Sequence, residues 1–247
     1  MHVKLPDNCT NIRWDSFFKC DKLKIECKCE IKTKLEQFGT INKKSITKKD
    51  LENYTSVEGL EINFDAKVQG NSLKYLTDLK TIKCNPEILN KLPLNKYNEN
   101  NITALVIQNG TKQLTKEMFK YCLNLEYISI PLSVEKIEEG AFDECKCLRI
   151  VECDPIFLNY FNNQYITTFF IKEGIKSIYK DHYKDNKYIQ NLIIPNSVEY
   201  IEEGAFYNLK KVIFLQCEDK WNNNKYFPFK YEIKEGTKII DPEIFKV

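Results

Sequence analysis

The chain has 247 residues, and its 37 lysines and arginines nearly balance its 35 aspartates and glutamates, for a net charge of +2. A charge this balanced provides no strong field to attract nucleic acid or an anionic membrane. No apolar stretch approaches the ~20 residues that a membrane-spanning helix needs, and the first ten residues contain no apolar segment typical of a secretion signal. We therefore expect a cytoplasmic protein without membrane insertion; the alternative is the cell surface, reached by an export route that the sequence does not show.

Short segments with apolar ends recur along the whole chain and predict β-strands. In Leu125–Ile130, L-E-Y-I-S-I, apolar side chains fall at the first, fourth and sixth places, and the last two alternate as a half-buried strand requires. The predicted strands end, in chain order, at Leu5, Cys27, Ile41, Ile62, Cys84, Ile107, Ile130, Cys153, Ile171, Ile194, Cys217 and Ile233. This repetition predicts a single elongated domain over residues 1–247, because the units of a solenoid pack only against their neighbours.

Two nearly identical segments give the period of the repeat. Val134–Phe142 reads V-E-K-I-E-E-G-A-F and Val198–Phe206 reads V-E-Y-I-E-E-G-A-F. The aromatic residue that closes each segment recurs at a spacing of 23 residues, as from Phe119 to Phe142. Units of this length are typical of a solenoid in which one strand and one turn form each coil.

The strands also follow a second, longer period of three repeat units. Every third strand ends in cysteine rather than isoleucine, and an irregular connection follows each of them. The cysteines that end these strands are Cys27, Cys84, Cys153 and Cys217. About twelve units are therefore expected, every third one irregular, with variable turns exposed on one side of the coil.

The full pattern I-P-x-S-V-x-x-I-x-x-G-A-F-x-x-C-x-x-L-x-x-I-x-I-P closely resembles the leucine-rich repeat of BspA-like proteins, the LRR_5 type found in bacterial surface antigens and in large protist families. The resemblance is most specific at Ile130–Cys153 and Ile194–Cys217 and weakest over residues 1–72. It implies an α/β solenoid, a right-handed coil with a concave parallel β-sheet and short helical or 3-10 turns on the convex side. It also implies adhesion or protein recognition and no chemistry.

The positions of the cysteines and of His182 also favour protein recognition over catalysis or metal binding. The cysteines fall mostly at repeat positions, where a free thiol acts as a small buried hydrophobe, so we expect reduced thiols and no metal site. His182 stands before Tyr183 where alanine precedes phenylalanine in the matching units, so it is interpreted as a packing variant without a catalytic partner. We therefore predict a non-enzymatic scaffold without a cofactor.

The predicted binding surface is the concave sheet, where residues between the buried strand positions point to solvent. Aromatic and arginine side chains in such a surface are where binding energy concentrates. The alternative is that large residues in a parallel ladder only cover one another. The candidate binding residues are Tyr127, Arg149, Ile150, Glu152, Phe170, Ile193, Phe214 and Gln216.

Three functions remain open at this point, one of them an enzyme with its site in the irregular turns, which we favour least. The first is an intracellular scaffold that binds a protein partner on the concave sheet, and the alternative is a surface adhesin that binds host or extracellular matrix proteins. Because neither end shows a distinct polar cap, the sequence also predicts end-to-end self-association of the chain.

Overall fold

The computed structural model describes most of the middle of the chain and short segments towards both ends. The described residues are 2–4, 24–26, 38–54, 57–70, 72–94, 97, 99–161, 165–183, 186, 188–195, 197–206, 209, 212–215, 231–234 and 237–240. For 2–4, 24–26, 38–39, 53 and the strands from 212 onward, only the backbone is described.

Short strands and single-turn helices alternate along the chain. The strands are β1 (His2–Lys4), β2 (Lys24–Glu26), β3 (Phe38–Ile41), β4 (Ser45–Ile46), β5 (Gly59–Ile62), β6 (Lys67–Val68), β7 (Thr81–Cys84), β8 (Ala104–Ile107), β9 (Gln113–Leu114), β10 (Tyr127–Ser129), β11 (Lys136–Ile137), β12 (Ile150–Cys153), β13 (Thr168–Ile171), β14 (Ser177–Ile178), β15 (Asn191–Ile194), β16 (Tyr200–Ile201), β17 (Val212–Leu215), β18 (Tyr231–Lys234) and β19 (Thr237–Ile240). The helices are α1 (Lys116–Phe119) and the 3-10 helices Lys48–Tyr54, Ser72–Tyr75, Pro86–Lys91, Pro155–Tyr160 and Lys180–His182.

One sheet of 11 strands runs through the molecule in the order β18-β19-β17-β15-β13-β12-β10-β8-β7-β5-β3. The strands from β3 to β17 pair in parallel, as the repeat predicts. A carbonyl before each strand extends the ladder by accepting two successive N–H groups; that of Glu126 accepts from Arg149 and Ile150 at 3.0 Å each. This bonding holds neighbouring coils in a fixed register.

The residues that the alternation places inward, in the middle of each strand, are buried. Ile128, Val151 and Phe169, each in the middle of its strand, are 0% exposed. The sheet face opposite these residues is the concave face, defined by Tyr127 and Ser129 of β10 and by the residues in register with them on the neighbouring strands. Core side chains therefore lie on one side of the sheet, and the concave side is itself partly covered, since Ser129 is 0% exposed whereas Tyr127 is half-buried.

The aromatic repeat position forms a column in the core. Phe119 and Phe142 have ring centroids 4.7 Å apart, and Tyr183 and Phe206 have centroids 6.1 Å apart. Phe161, from the irregular coil between these pairs, stacks on Phe142 at 4.5 Å. A residue outside the repeat pattern thus adds a third ring to the Phe119–Phe142 pair.

The irregular coils predicted after Cys84 and Cys153 are confirmed, and proline explains them; those predicted after Cys27 and Cys217 lie outside the described residues. Cys84 and Cys153 end their strands, and each is followed by a residue whose side chain caps a 3-10 helix that begins with proline. Proline fits the first position of a helix because its missing N–H has no partner there. Regular coils instead form two-stranded sheets with one neighbour, namely β4 with β6, β9 with β11, and β14 with β16.

The last part of the sheet differs from the prediction. The strand expected to end at Cys217 ends at Leu215, and Val212 pairs with Leu192, a shift of three residues from the predicted register. Four consecutive apolar residues, 212–215, make the alternation ambiguous there. The strand expected to end at Ile233 is not a further parallel coil: β18 pairs antiparallel with β19, and β19 pairs antiparallel with β17.

Candidate functional site

Three of the predicted binding residues lie partly exposed on the concave face. Tyr127 of β10 pairs in register with Ile150 of β12, and Phe170 of β13 pairs with Glu152 one step further along the strands. Tyr127, Ile150 and Phe170 are all half-buried. They come from three successive strands and form a contiguous aromatic and aliphatic surface.

Arg149 lies at the edge of this surface, directly before β12, and its side chain is exposed. Its Nη1 donates to the carbonyls of Lys146 at 2.8 Å and Leu148 at 3.0 Å, and its guanidinium lies 5.2 Å from the centre of the Tyr165 ring. These contacts fix an otherwise flexible side chain, so the cation stands in a defined place beside the apolar surface.

Two other predicted residues are on the concave face but do not face solvent. Glu152 is 2% exposed and Ile193 is 5% exposed, so the prediction that they are accessible is wrong. Parallel strands are only ~4.8 Å apart, and large side chains on adjacent strands cover smaller or shorter ones between them. The alternative considered for this ladder, mutual covering, therefore applies to these two positions.

The last two predicted residues fall in or beyond the altered register. Phe214 pairs with Ile194, whereas Ile213 pairs with Ile193, so the placement of Phe214 among the concave positions is wrong. Gln216 lies outside the described residues. The candidate surface is therefore centred on β10, β12 and β13.

A polar cluster fixes the middle of this surface. The Tyr127 hydroxyl donates to Glu152 Oε2 at 2.8 Å, and Lys172 Nζ lies 3.5 Å from the same oxygen. Lys172 Nζ also donates to Ser129 Oγ at 2.6 Å. The Lys172 side chain is 18% exposed and Ser129 is fully buried. We call these four residues the concave cluster: Tyr127, Ser129, Glu152 and Lys172.

Burial dominates the electrostatics of the concave cluster. It raises the pKa of the Tyr127 hydroxyl above its usual range, although a hydrogen bond with Ser129 lowers it in part, so the phenol stays protonated and keeps its proton for donation. A buried ion pair adds little to stability relative to apolar residues, but it enforces one geometry, because either charge without the other is costly. The cluster therefore orients Tyr127.

Lys172 was missed by the sequence analysis. It follows β13 directly and reaches back over β12 to Ser129 of β10, a contact between residues 43 positions apart. A lysine after a strand is usually solvated, and no spacing rule indicates a side chain that crosses two strands.

The N-terminal part of the concave face carries an ion pair of a different kind. Lys83 Nζ lies 2.8 Å from Glu61 Oε1, with side chains that are 41% and 32% exposed. Lys83 precedes Cys84 as Glu152 precedes Cys153, so the two irregular strands carry opposite charges at the same place. Exposed pairs of this type contribute little to stability.

An open groove of about 470 Å³ runs along the edge where the chain enters four of the parallel strands. All but one of its lining residues have polar or charged side chains. The lining residues are Glu58, Thr77, Asp78, Lys80, Asn101, Thr103, Asn124, Glu126 and Cys147. Asparagine amides tie its floor together, since Asn101 donates to the Thr77 carbonyl at 3.0 Å and Asn124 to the Asn100 carbonyl at 3.1 Å.

The thiols and the histidine of the described part show no catalytic arrangement. Burial raises the pKa of the Cys122 thiol to about 11 and holds those of Cys84, Cys145 and Cys153 well above the usual value. Burial lowers the pKa of His182, whose Nδ1 accepts a weak hydrogen bond from the Tyr179 N–H at 3.4 Å. Within the described residues, no three histidine, cysteine or acidic side chains are grouped to hold a metal ion.

Comparison with known proteins agrees with this architecture. The profile of the BspA type leucine rich repeat region matches in six copies, over residues 1–125, 40–155 and 154–245. The chain belongs to the BspA-type leucine-rich-repeat family. No curated protein matches this BspA-type chain. In the described part of the chain, no helix has the length and apolar character needed to cross a membrane.

Solved structures that resemble this BspA-type chain are distant. A chain of the Drosophila Toll–Spatzle complex is 13% identical over 71% of this chain and 34% of its own length, with a TM-score of 0.33; its glycosylated form is 10% identical over 67% and 31%, with a TM-score of 0.43. A leucine-rich cell surface protein from Faecalibacterium prausnitzii is 17% identical over 68% and 64%, with a TM-score of 0.22. The chain thus spans less than two thirds of each.

Proposed function

We propose that this protein is a non-enzymatic scaffold that binds a protein partner on the concave face of its sheet. The observation that carries the proposal is the half-buried surface of Tyr127, Ile150 and Phe170, held over a polar cluster that fixes its geometry. Binding surfaces concentrate their energy in rigid aromatic and arginine side chains surrounded by polar groups. Arg149, exposed and held by backbone carbonyls, supplies the polar edge.

Replacement of Phe170 by serine tests the proposal. Loss of a hot-spot side chain costs about 2 kcal/mol of binding, or roughly thirtyfold in Kd. The immobilised protein would be used to isolate a partner from lysate of the source cell, and the affinity of that partner would then be compared between variants. Tyr200→Ser is the matched control, because Tyr200 is equally aromatic, 51% exposed, and lies in the separate sheet of β14 and β16.

The proposal fails if a folded Phe170→Ser protein binds the partner as tightly as the unaltered protein does. Thermal unfolding of both variants accompanies the binding measurement. A Phe170→Ser protein that no longer folds would instead show that the side chain belongs to the core, and the half-exposed Ile150→Ser variant would then provide the test.

We also propose that the scaffold acts in the cytoplasm, with the cell surface as the alternative. The family includes surface proteins, so location is to be measured directly. Protease treatment of intact cells should leave the protein uncut, and cleavage under conditions that spare a cytosolic marker would favour the surface adhesin.

A further inference from the structure

At each irregular turn between residues 59 and 174, a side chain from the coil before the turn packs against a glycine of the coil after it. A Cβ on Gly110 would lie 3.3 Å from Cζ of Phe64, and a Cβ on Gly174 would lie 2.9 Å from Cδ1 of Leu132. Both glycines have a φ of +103°. Phe64 follows β5 and Gly110 follows β8, so they lie on either side of the irregular coil of β7. Leu132 follows β10 and Gly174 follows β13, on either side of the irregular coil of β12. Each apolar side chain therefore spans an irregular turn.

A second, polar contact accompanies the packing of Leu132 against Gly174. The packing of Phe64 against Gly110 has no such counterpart in the described part of the chain. Lys172, two residues before Gly174, donates to Ser129, three residues before Leu132. Gln108 holds the corresponding place before Gly110, and its Oε1 is buried with no hydrogen-bond partner among the described residues. We call residues 172–174 the strap, because it is joined to the coil of β10 at two points.

We propose that Lys172 is a positioning residue of the concave site: the strap holds its ammonium against Glu152, and Glu152 in turn holds the Tyr127 hydroxyl. This inference rests on the proposed function, in which Tyr127 contacts the partner. Lys172 acts through Glu152, which is almost completely buried. A buried carboxylate that loses its facing cation takes up a proton or turns towards solvent, and in either case it becomes a weaker acceptor for the phenol.

Two exposed ion pairs between neighbouring coils of the described part have no such role. Lys112 Nζ lies 2.5 Å from Glu135 Oε1 with side chains that are 65% and 68% exposed, and Lys176 forms an equally exposed pair with Glu199. Water and salt screen charges at such positions, so neither partner depends on the other for its conformation. Lys112 therefore offers a matched control: the same residue type, paired across coils, but remote from a buried acceptor.

Nitration of tyrosine by tetranitromethane, mapped by mass spectrometry, tests the positioning role on the free protein. In the unaltered protein, Tyr127 should react at least tenfold more slowly than Tyr200, which is half exposed. Lys172→Met should raise the Tyr127 rate by about tenfold, the effect of losing one hydrogen bond to a charged acceptor. Lys112→Met should leave the rate within twofold of the unaltered value, as a solvated pair predicts.

Two further variants keep the test decisive. Lys172→Arg restores a cation and should return the Tyr127 rate to within about twofold, and Lys172→Gln, a polar replacement without charge, should raise the rate as Lys172→Met does. A folded Lys172→Met protein with an unchanged Tyr127 rate would overturn the inference. So would an arginine variant as reactive as the methionine one, or, where Lys172→Met does not fold, a folded Lys172→Gln protein with the unaltered rate.

The outcome is separable from the proposed function, because nitration requires no partner. A raised Tyr127 rate in Lys172→Met together with full partner binding by Phe170→Ser would keep the positioning role and reject the concave binding site. An unchanged Tyr127 rate in Lys172→Met together with loss of binding by Phe170→Ser would reject the positioning role and keep the concave binding site.

Discussion

Replacement of Tyr183 by phenylalanine should stabilise the protein. Tyr183 is 1% exposed and occupies the core column where Phe206 stands in the next coil. Its hydroxyl is buried without a hydrogen-bond partner among the described residues, and burial holds its pKa well above the usual value. Phenylalanine keeps the ring contacts with Phe169 and Phe206 and removes the unsatisfied group.

The size of the effect follows from the cost of a buried unpaired polar group, which is about 1–3 kcal/mol. The cavity left by one oxygen subtracts a few tenths of this, by the usual scale of about 24 cal/mol per Å³. A gain of about 2 kcal/mol corresponds to a rise in Tm of roughly 4–8 °C for a protein of this size.

Differential scanning calorimetry and urea unfolding measure the change. Tyr200→Phe is the matched control, since the same deletion at an exposed site should change stability by less than about 0.5 kcal/mol. Phe206→Ala should lose about 3–5 kcal/mol, which verifies that the column is core. A Tyr183→Phe protein destabilised by more than about 1 kcal/mol would refute the reasoning, because it would show that the hydroxyl is paired.

Three further predictions concern titration, thiols and assembly. Because burial lowers the pKa of His182 in the folded protein, the stability that this residue contributes is present above its unfolded pKa of 6.5 and is lost as the pH falls. The variant His182→Met introduces the residue type that Met118 supplies at the same position of an earlier coil, and it should remove this pH dependence in thermal melts between pH 7.5 and 5.5. Among the described thiols, exposed Cys147 should be alkylated first by iodoacetamide in the native protein, and earlier labelling of any buried thiol would contradict the core placement. The end-to-end association expected from the sequence should appear as concentration-dependent sedimentation, whereas a constant monomer at high concentration would count against it.

The repeat itself could be predicted from the sequence because the pattern is redundant. Isoleucine or cysteine at each strand end, the aromatic column and the Asn-Pro and Asp-Pro pairs after Cys84 and Cys153 each indicate the same coil boundary. The register failed where this redundancy ends. At Val212–Leu215 every residue is apolar, so alternation cannot distinguish inward from outward positions.

The candidate site could be predicted only in part. Alternation placed Tyr127, Ile150 and Phe170 correctly on one face, since strand geometry alone decides that. It could not show that Glu152 is covered, because covering depends on the length and direction of side chains from neighbouring strands. Nor could it show that Lys172, which follows β13, reaches across β12 to Ser129 of β10, because the sequence gives the length of a side chain but not its direction.

Photo-crosslinking tests the central claim most directly. One protein would carry benzoylphenylalanine in place of Ile150 on the concave face. A second protein would carry it in place of Tyr200, in the separate two-stranded sheet. After irradiation with the partner isolated by the unaltered protein, the account predicts a covalent adduct from position 150 and none from position 200. An adduct from position 200 alone would contradict it.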